Sequence, residues 1–262
     1  MNFRADFLRP AIGGAHRGRS RQGTVAIVDI AHEETGRARS RSLCEQRGLR
    51  QRVQGIVSMD HLVFGVPDLA RGIELVEHKT GVRARFGGQH PGRGTHNALL
   101  SLGGRQYLEI IAIDPAQREA PGLLFPELES LSQPQLIAWA VAVESVVDTA
   151  KRAKAENIET VGPLAGSRAQ ADGSLLTWKT LRLGGPRVAG LPFFIEWQHG
   201  TAHPSQQSPS GCTLASFEVE HPDAEWMRRT LKSLGADAHV VPGSRVRLKA
   251  RLSTPQGNVE LS

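Results

Sequence analysis

The sequence predicts an α+β fold of strand-helix-three-strand (βαβββ) modules, two of them paired into a cup-shaped half-barrel and a third appended. Three observations carry this. One succession of patterned segments recurs three times from Met59 onward, each copy opens on a strand followed at once by a helix, and polar or proline-rich stretches join the copies. A four-stranded sheet with one helix leaves its other face bare, so two copies must close on each other.

In the first copy, residues 59–113, Asp60–Val66 reads as a strand, and Pro67, Asp68 and Leu69 open a helix that runs to His78 and stops at Thr80-Gly81. Strands follow at Val82–Phe86, Asn97–Leu102 and Gln106–Ile113, with Gly103-Gly104 turning the last hairpin. The second copy, residues 135–198, offers a strand at Gln135–Val143, a helix at Ser145–Glu156, and strands at Glu159–Val161, Leu175–Leu183 and Pro192–Gln198. These two copies form one expected domain, residues 59–204. The third copy, within 211–262, has Thr213–Glu220, a helix from Pro222-Asp223 to Leu234, then Ala238–Val241, Arg245–Leu252 and Asn258–Leu261. The link Asp114–Pro134 holds four prolines and is expected to wrap the outside of the sheet. With no fourth copy to pair with, the third either packs on the first two or finds its equal in another subunit as a homodimer.

Of 262 residues, 39% are hydrophobic and 22% charged, which excludes collagen-like, wholly disordered and membrane-bundle proteins. No stretch approaches the roughly 20 apolar residues of a membrane span, and no apolar leader follows the N-terminal charges, so a cytoplasmic protein is expected. Cys44 and Cys212 stand too isolated for a disulfide framework or a zinc cage. The net charge of +6 is confined to residues 1–58, with eleven arginines, no lysine and five acids; the remainder balances. This head lacks periodicity and reads as a disordered extension ahead of Met59, where a true start is expected. Nucleic-acid binding is disfavoured because Phe3 and Phe7 are its only rings.

Alternation assigns faces. His61, Val63 and Gly65 share one face of the first strand, with Leu62, Phe64 and Val66 on the helix-packed face; Glu109 likewise opposes Leu108 and Ile110. In the second copy Phe194, Glu196 and Gln198 share a face, and repeat symmetry is expected to turn Glu196 inward. One imidazole and two buried carboxylates are costly unless compensated. Either they hold a divalent ion (Mn, Fe, Ni or Zn) with positions open to substrate, or His61 bonds a backbone carbonyl and the acids pair with arginine or water. The run Gly87–Asn97, with four glycines, is expected to loop over the cavity mouth, where His90 or His96 carries protons or simply faces solvent. Arg168 either binds a substrate carboxylate or points to water, and Trp139 and Trp178 either line the pocket or pack in the core. His199 and His203 read as loop residues. No serine-hydrolase elbow or zincin motif is present.

Together, Asp60-His-Leu-Val-Phe-Gly-Val-Pro-Asp-Leu69, Gly87-Gly-Gln-His-Pro-Gly-Arg-Gly-Thr-His-Asn97, Tyr107-Leu-Glu-Ile-Ile111, Asp172-Gly-Ser-Leu-Leu-Thr-Trp178 and Pro192-Phe-Phe-Ile-Glu-Trp197 resemble the glyoxalase-like proteins of the vicinal oxygen chelate superfamily, over about residues 59–204. The resemblance implies metal ligands on the first and fourth strands of the paired modules, here His61, Glu109 and Glu196. The fourth place falls on Ala138, which cannot ligate. In the third copy the matching positions are Ser216 and Glu260, so no site is expected there. The resemblance further implies metal-assisted lyase, isomerase or dioxygenase chemistry on a small oxygen-rich molecule, with Glu109, Glu196 or His90 moving a proton. His96, Arg168 and Trp178 are the candidates for substrate binding. The alternative is a metal-free protein of the same fold that sequesters a small ligand; Ala138 favours it, whereas the inward His61, Glu109 and Glu196 favour the enzyme.

Overall fold

The structure, a computed structural model, describes residues 59–117, 122–169, 175–198, 200 and 202–262. The expectations for the arginine-rich head, Cys44, His199 and the Asp172-Gly173 turn lie outside the described residues. The first half comprises β1 (Met59–Gly65), α1 (Leu69–Thr80), β2 (Arg85–His90), β3 (Thr95–Ser101) and β4 (Tyr107–Ile113). The second comprises β5 (Gln135–Ala142), α2 (Val146–Ala155), β6 (Glu159–Ala169), β7 (Leu175–Gly184) and β8 (Phe193–Trp197). Their eight strands form one sheet in the order β2-β3-β4-β1-β5-β8-β7-β6. β1 runs parallel to β4 and antiparallel to β5, so the halves join through their first strands.

Local chemistry sets the helices. The Asp68 carboxylate accepts from Arg71 N–H at 2.9 Å and starts α1, and Gly81, in the left-handed region, closes it on the Glu77 carbonyl. Leu69, Gly72, Val76 and Thr80 recur every three or four residues as its buried stripe. Ser145 caps α2 in the same way. The apolar residues of the sheet's outer face, among them Leu62, Phe64, Leu108 and Ile110, join the helix stripes in one core.

Three features depart from the sequence pattern. The Gly87–Asn97 run is a hairpin, not a loop: β2 and β3 pair from Arg85 with Leu99 to His90 with Thr95. Glycine has no side chain to alternate, which hides a strand from pattern reading. β6 extends well beyond Val161, its ladder with β7 skipping Gly162 and Pro163 and resuming at Leu164, because proline has no N–H to give to the ladder. The link between the halves, in its described parts, runs over the concave face and not the outside. Phe125 and Leu128 bury themselves there against Val63 and Ile111, apolar side chains that the hollow would otherwise leave wet.

After the short α3 (Pro204–Gln207), the third unit follows as β9 (Thr213–His221), α4 (Ala224–Leu234), β10 (His239–Pro242), β11 (Arg247–Thr254) and β12 (Gly257–Leu261). The succession is strand, helix, three strands, but the strands lie in the order β10-β9-β11-β12. β9 and β10 are parallel neighbours joined over α4, whereas in each half of the large sheet the first strand lies beside the last. Glu260 therefore sits on an edge strand, near Arg251, and is no counterpart of Glu109. The unit packs against the outer face of the large sheet: the Trp139 ring lies 5.0 Å from that of Phe217, and its Nε1–H donates to the Gly190 carbonyl at 2.9 Å. Among the described residues no helix is long and apolar enough to cross a membrane.

Trp139 is fully buried at this junction. Trp139→Ala is expected to cost about 4 kcal/mol in urea unfolding; a loss below about 1 kcal/mol, the scale of an ordinary surface change, would show that the contact contributes little.

Candidate functional site

The concave face encloses a cavity of about 300 Å³. The first half supplies polar walls, with His61 on β1, His90 on β2, Asn97 on β3, and Tyr107 and Glu109 on β4. The second half supplies apolar ones, Phe193, Ile195 and Trp197 on β8 and Leu176 and Trp178 on β7. Arg93, Arg168 and Arg182 also line it.

β1 pairs Met59 with Val141 but His61 with Ala140, two steps on one strand against one on the other. Asp60 is the extra residue of this bulge, and the local rotation brings its carboxylate beside His61. Oδ1 accepts from His61 Nδ1 at 2.7 Å, while Oδ2 accepts from Trp197 Nε1 at 2.8 Å and from His203 Nε2 at 2.9 Å. A carboxylate only accepts, so these ring nitrogens carry the protons and His61 Nε2 is left for the cavity. Burial pushes the Asp60 carboxyl up, but the hydrogen bonds and charges of His203 and His61 outweigh it and hold the group well below the usual carboxylate range. The His61 ring stacks on Tyr107 at 4.5 Å and meets Phe193 edge-on at 5.3 Å, which fixes its plane.

His61 Nε2 lies 3.6 Å from Glu109 Oε2. The other oxygen, Oε1, accepts from Asn97 Nδ2 at 2.6 Å and lies 3.7 Å from His90 Nε2. Burial, helped by Arg168 and His96 and opposed by Glu109, pushes the His90 pKa down, so its ring is neutral at pH 7. Its Nδ1 sits 2.8 Å from Thr95 Oγ1 and its Nε2 3.3 Å from Asn97 Nδ2, which assigns the proton to Nδ1. Tyr107 is held protonated, by burial first and then by the Asp60 and Glu109 charges.

Two glycines allow this packing. A Cβ at residue 87 would lie 2.3 Å from Asn97 Oδ1 and 2.7 Å from Arg168 Nη1, so only glycine lets both side chains close on the strand. There Arg168 Nη1 donates to the Gly87 carbonyl and bridges the edge strands β6 and β2. Gly166 does the same for Trp178, whose ring would be 2.4 Å from a Cβ.

Of the residues expected at a site, His61, Glu109, His90, Arg168 and Trp178 line the cavity. Glu196 does not, which corrects the expectation that repeat symmetry turns it inward. β8 presents Phe193, Ile195 and Trp197 to the hollow, and Glu196 faces the outer side. Its carboxylate accepts from Val146 N–H, at the start of α2, at 3.0 Å and from Lys179 Nζ at 3.1 Å. The Val146 N–H, then Lys179 and Gln198 against burial, hold its pKa below the usual range. A helix N-terminus on the outer face offers the free donors that a carboxylate seeks. His96 is likewise turned away: it alternates with Asn97 on β3, edge-on to Phe86 at 6.4 Å and 3.9 Å from Asp114.

These placements decide the fit of an ion. Val66 N–H donates to the Ile111 carbonyl and Val143 N–H to that of Ile195, and the helix caps Asp68 and Ser145 follow at the same offset, so Ala138 is the counterpart of His61, as expected. Ile195 thus matches Ile111, and Phe193 matches Glu109. Neither Ala138 nor Phe193 carries a donor atom, and among the described residues no three His, Cys, Asp or Glu side chains form a group able to hold a metal. His61 and Glu109 alone fall short of the coordination set of Mn, Fe, Ni or Zn, and the residues present do not fit a resident divalent ion.

Sequence reasoning missed Asp60, His203, Asn97 and Arg182. Simple alternation assigns Asp60 to the outer face, and only the bulge overrides it. His203, read as a loop residue, is the buried cap of α3. A signal for Arg182 was present, since it shares its parity on β7 with Trp178.

An eight-stranded sheet of two βαβββ halves curled around a cleft of titratable groups defines a glyoxalase-like protein of the vicinal oxygen chelate type. Residues 59–235 match the family model described as a glyoxalase-like domain, and the chain belongs to that family. A hypothetical protein from Staphylococcus aureus shares the fold, with 14% identity and a TM-score of 0.58 over 72% of this chain and 87% of that one. Methylmalonyl-CoA epimerase from Mycobacterium tuberculosis aligns at 18% identity with a TM-score of 0.37, over 53% of this chain and 86% of its own. A variant of the Streptomyces coelicolor epimerase, solved in complex with 2-nitronate-propionyl-CoA, aligns at 13% and 0.40, over 55% and 98%. A comparison with curated proteins returned no match.

Asp60→Asn is expected to cost about 3 kcal/mol at pH 7, since it removes the charge that two buried imidazoles donate to. The folded carboxyl is depressed, so the wild-type advantage is complete above the unfolded value of about 3.9 and shrinks as pH falls below it. Urea unfolding of both proteins from neutral to acidic pH reads this gap, and a gap that does not change with pH would contradict the ionised carboxylate.

Proposed function

We propose that the chain is a proton-transfer enzyme of the lyase or isomerase class acting on a small oxygen-bearing molecule. The observation that carries this reading is the Asp60–His61 pair, a buried carboxylate on Nδ1 that leaves Nε2 aimed into the cavity beside Glu109. An imidazole oriented in this way is a general base. His61 Nε2 takes a proton from a carbon next to a carbonyl, and the C–H electron pair moves through the new C=C onto the carbonyl oxygen. Asp60 stabilises the imidazolium that forms, as the carboxylate does in other carboxylate–histidine pairs. Tyr107 and Arg168 are the cavity groups able to donate to the developing oxyanion. Glu109, 3.6 Å from the base, receives or returns the proton at a second position, which is what an isomerisation needs.

The metal-assisted form of the reaction, and its dioxygenase branch, would draw donors from the second half, where Ala138 and Phe193 supply none. A second reading, a sequestering protein, is favoured by the apolar second half, in which Trp178 and Trp197 stand 5.8 Å apart.

Exchange of α-protons in D₂O, followed by proton NMR on a panel of 2-oxo acids and hydroxy ketones, separates the two. The wild type is expected to exchange at least one member. His61→Gln and Glu109→Gln are each expected to lower the rate about a hundredfold, and dialysis against EDTA to leave it unchanged. Binding without exchange would support sequestration, and a rate lost to EDTA and restored by a divalent ion would overturn the metal-free mechanism.

A further inference from the structure

The mechanism leaves Arg182 and Arg93 without a role. We propose that Arg182, with Arg93, forms a carboxylate-binding subsite, and that the ligand is a planar organic carboxylate lying across Phe193 with its reactive carbon at His61. The proposal rests on the reading of this cavity as the functional site.

Arg182 is fixed before any ligand arrives. Its Nη1 donates to the Leu124 carbonyl, and its guanidinium lies 4.5 Å over the Phe125 ring and 5.8 Å from that of Phe193. The inward fold of the link between the halves supplies both the carbonyl and the first ring. A guanidinium has five N–H donors, and among the described residues no carboxylate forms an ion pair with Arg182 or Arg93. Burial first, and the nearby Arg93, act against the Arg182 charge; Glu127 and Glu109 act for it. A half-buried cation with this little compensation is completed by an anion in the cavity, and the flat edge of a guanidinium matches a carboxylate.

Phe193 sets the span. Its ring lies 5.3 Å from that of His61 and 5.8 Å from the Arg182 guanidinium carbon, so base and cation stand within reach of one small molecule. The flat walls of Trp178 and Trp197 call for a planar body. Leu124, Phe125 and Phe193 crowd the guanidinium with apolar surface and leave few donors for the oxygens of a phosphate. The class is thus a conjugated or aromatic carboxylate.

Titration of the full chain with benzoate, benzamide and inorganic phosphate, read by the change in tryptophan fluorescence to which the cavity's Trp178 and Trp197 contribute, tests this. Benzoate is expected to bind at least about tenfold more tightly than benzamide, and phosphate not to displace it. Arg182→Gln should weaken benzoate about thirtyfold while leaving benzamide unchanged, which also shows that the variant is folded. Arg182→Lys should recover part of the loss, and Arg93→Gln should weaken benzoate by less. Equal binding of benzoate and benzamide, no saturable benzoate binding, displacement by phosphate, or an Arg182→Gln protein that still prefers benzoate would each overturn the subsite. His61→Gln should keep the benzoate preference. That preference with no exchange activity in the wild type would sink the proton-transfer reading and leave the subsite standing.

Discussion

Asp60 ties together three stretches of chain that are far apart in sequence: β1 itself through His61, β8 through Trp197, and the start of α3 through His203. Removing a carboxylate from water costs several kcal/mol unless its oxygens are satisfied, and here both are. The bulge in β1 exists in the same compromise. One residue out of step with β5 brings the carboxylate and the imidazole to one side, at the cost of a break in the ladder. The orientation of His61, the depressed carboxyl and the buried position of His203 all follow from that one displaced residue.

The two halves of the large sheet share a topology and divide the labour. The first places an imidazole, a carboxylate and an amide on the cavity side of β1, β4 and β3. At the two places that match His61 and Glu109 the second has Ala138 and Phe193, and it turns its own acid outward to the start of α2. A duplicated scaffold therefore yields one wall of titratable groups and one largely apolar wall that carries the cations Arg168 and Arg182. Such a cleft orients a small molecule by contact with its flat body while one side works on its polar end. The link between the halves completes the enclosure by folding inward, where Phe125 shields Val63 and Ile111 and carries Arg182 on its ring.

The third unit contributes from the other side. Its Phe217 meets Trp139, which lies back to back with the cavity on β5, so the centre of the sheet is buried on both faces. A strand held from behind in this way keeps the register of β1 against β5, and with it the bulge.

Much of the fold was legible because the forces involved are local. Asp68 and Ser145 start helices within three residues of themselves, and alternation along β1 separates His61 from Leu62 whatever the rest of the chain does. The same rule groups Phe193, Ile195 and Trp197 apart from Glu196, yet it does not say which group meets the hollow. That depends on the curvature of the sheet and on the α2 N-terminus that the carboxylate finds across it. Asp60 beside His61, the inward course of the link and the strand order of the third unit were equally illegible, since each is settled by contacts between residues tens of positions apart. The elements, their order and the residues that share a face follow from the order of amino acids alone. Which face is concave and which charges meet there emerges only when the chain is folded, because a distance through space is not written in a spacing along the chain.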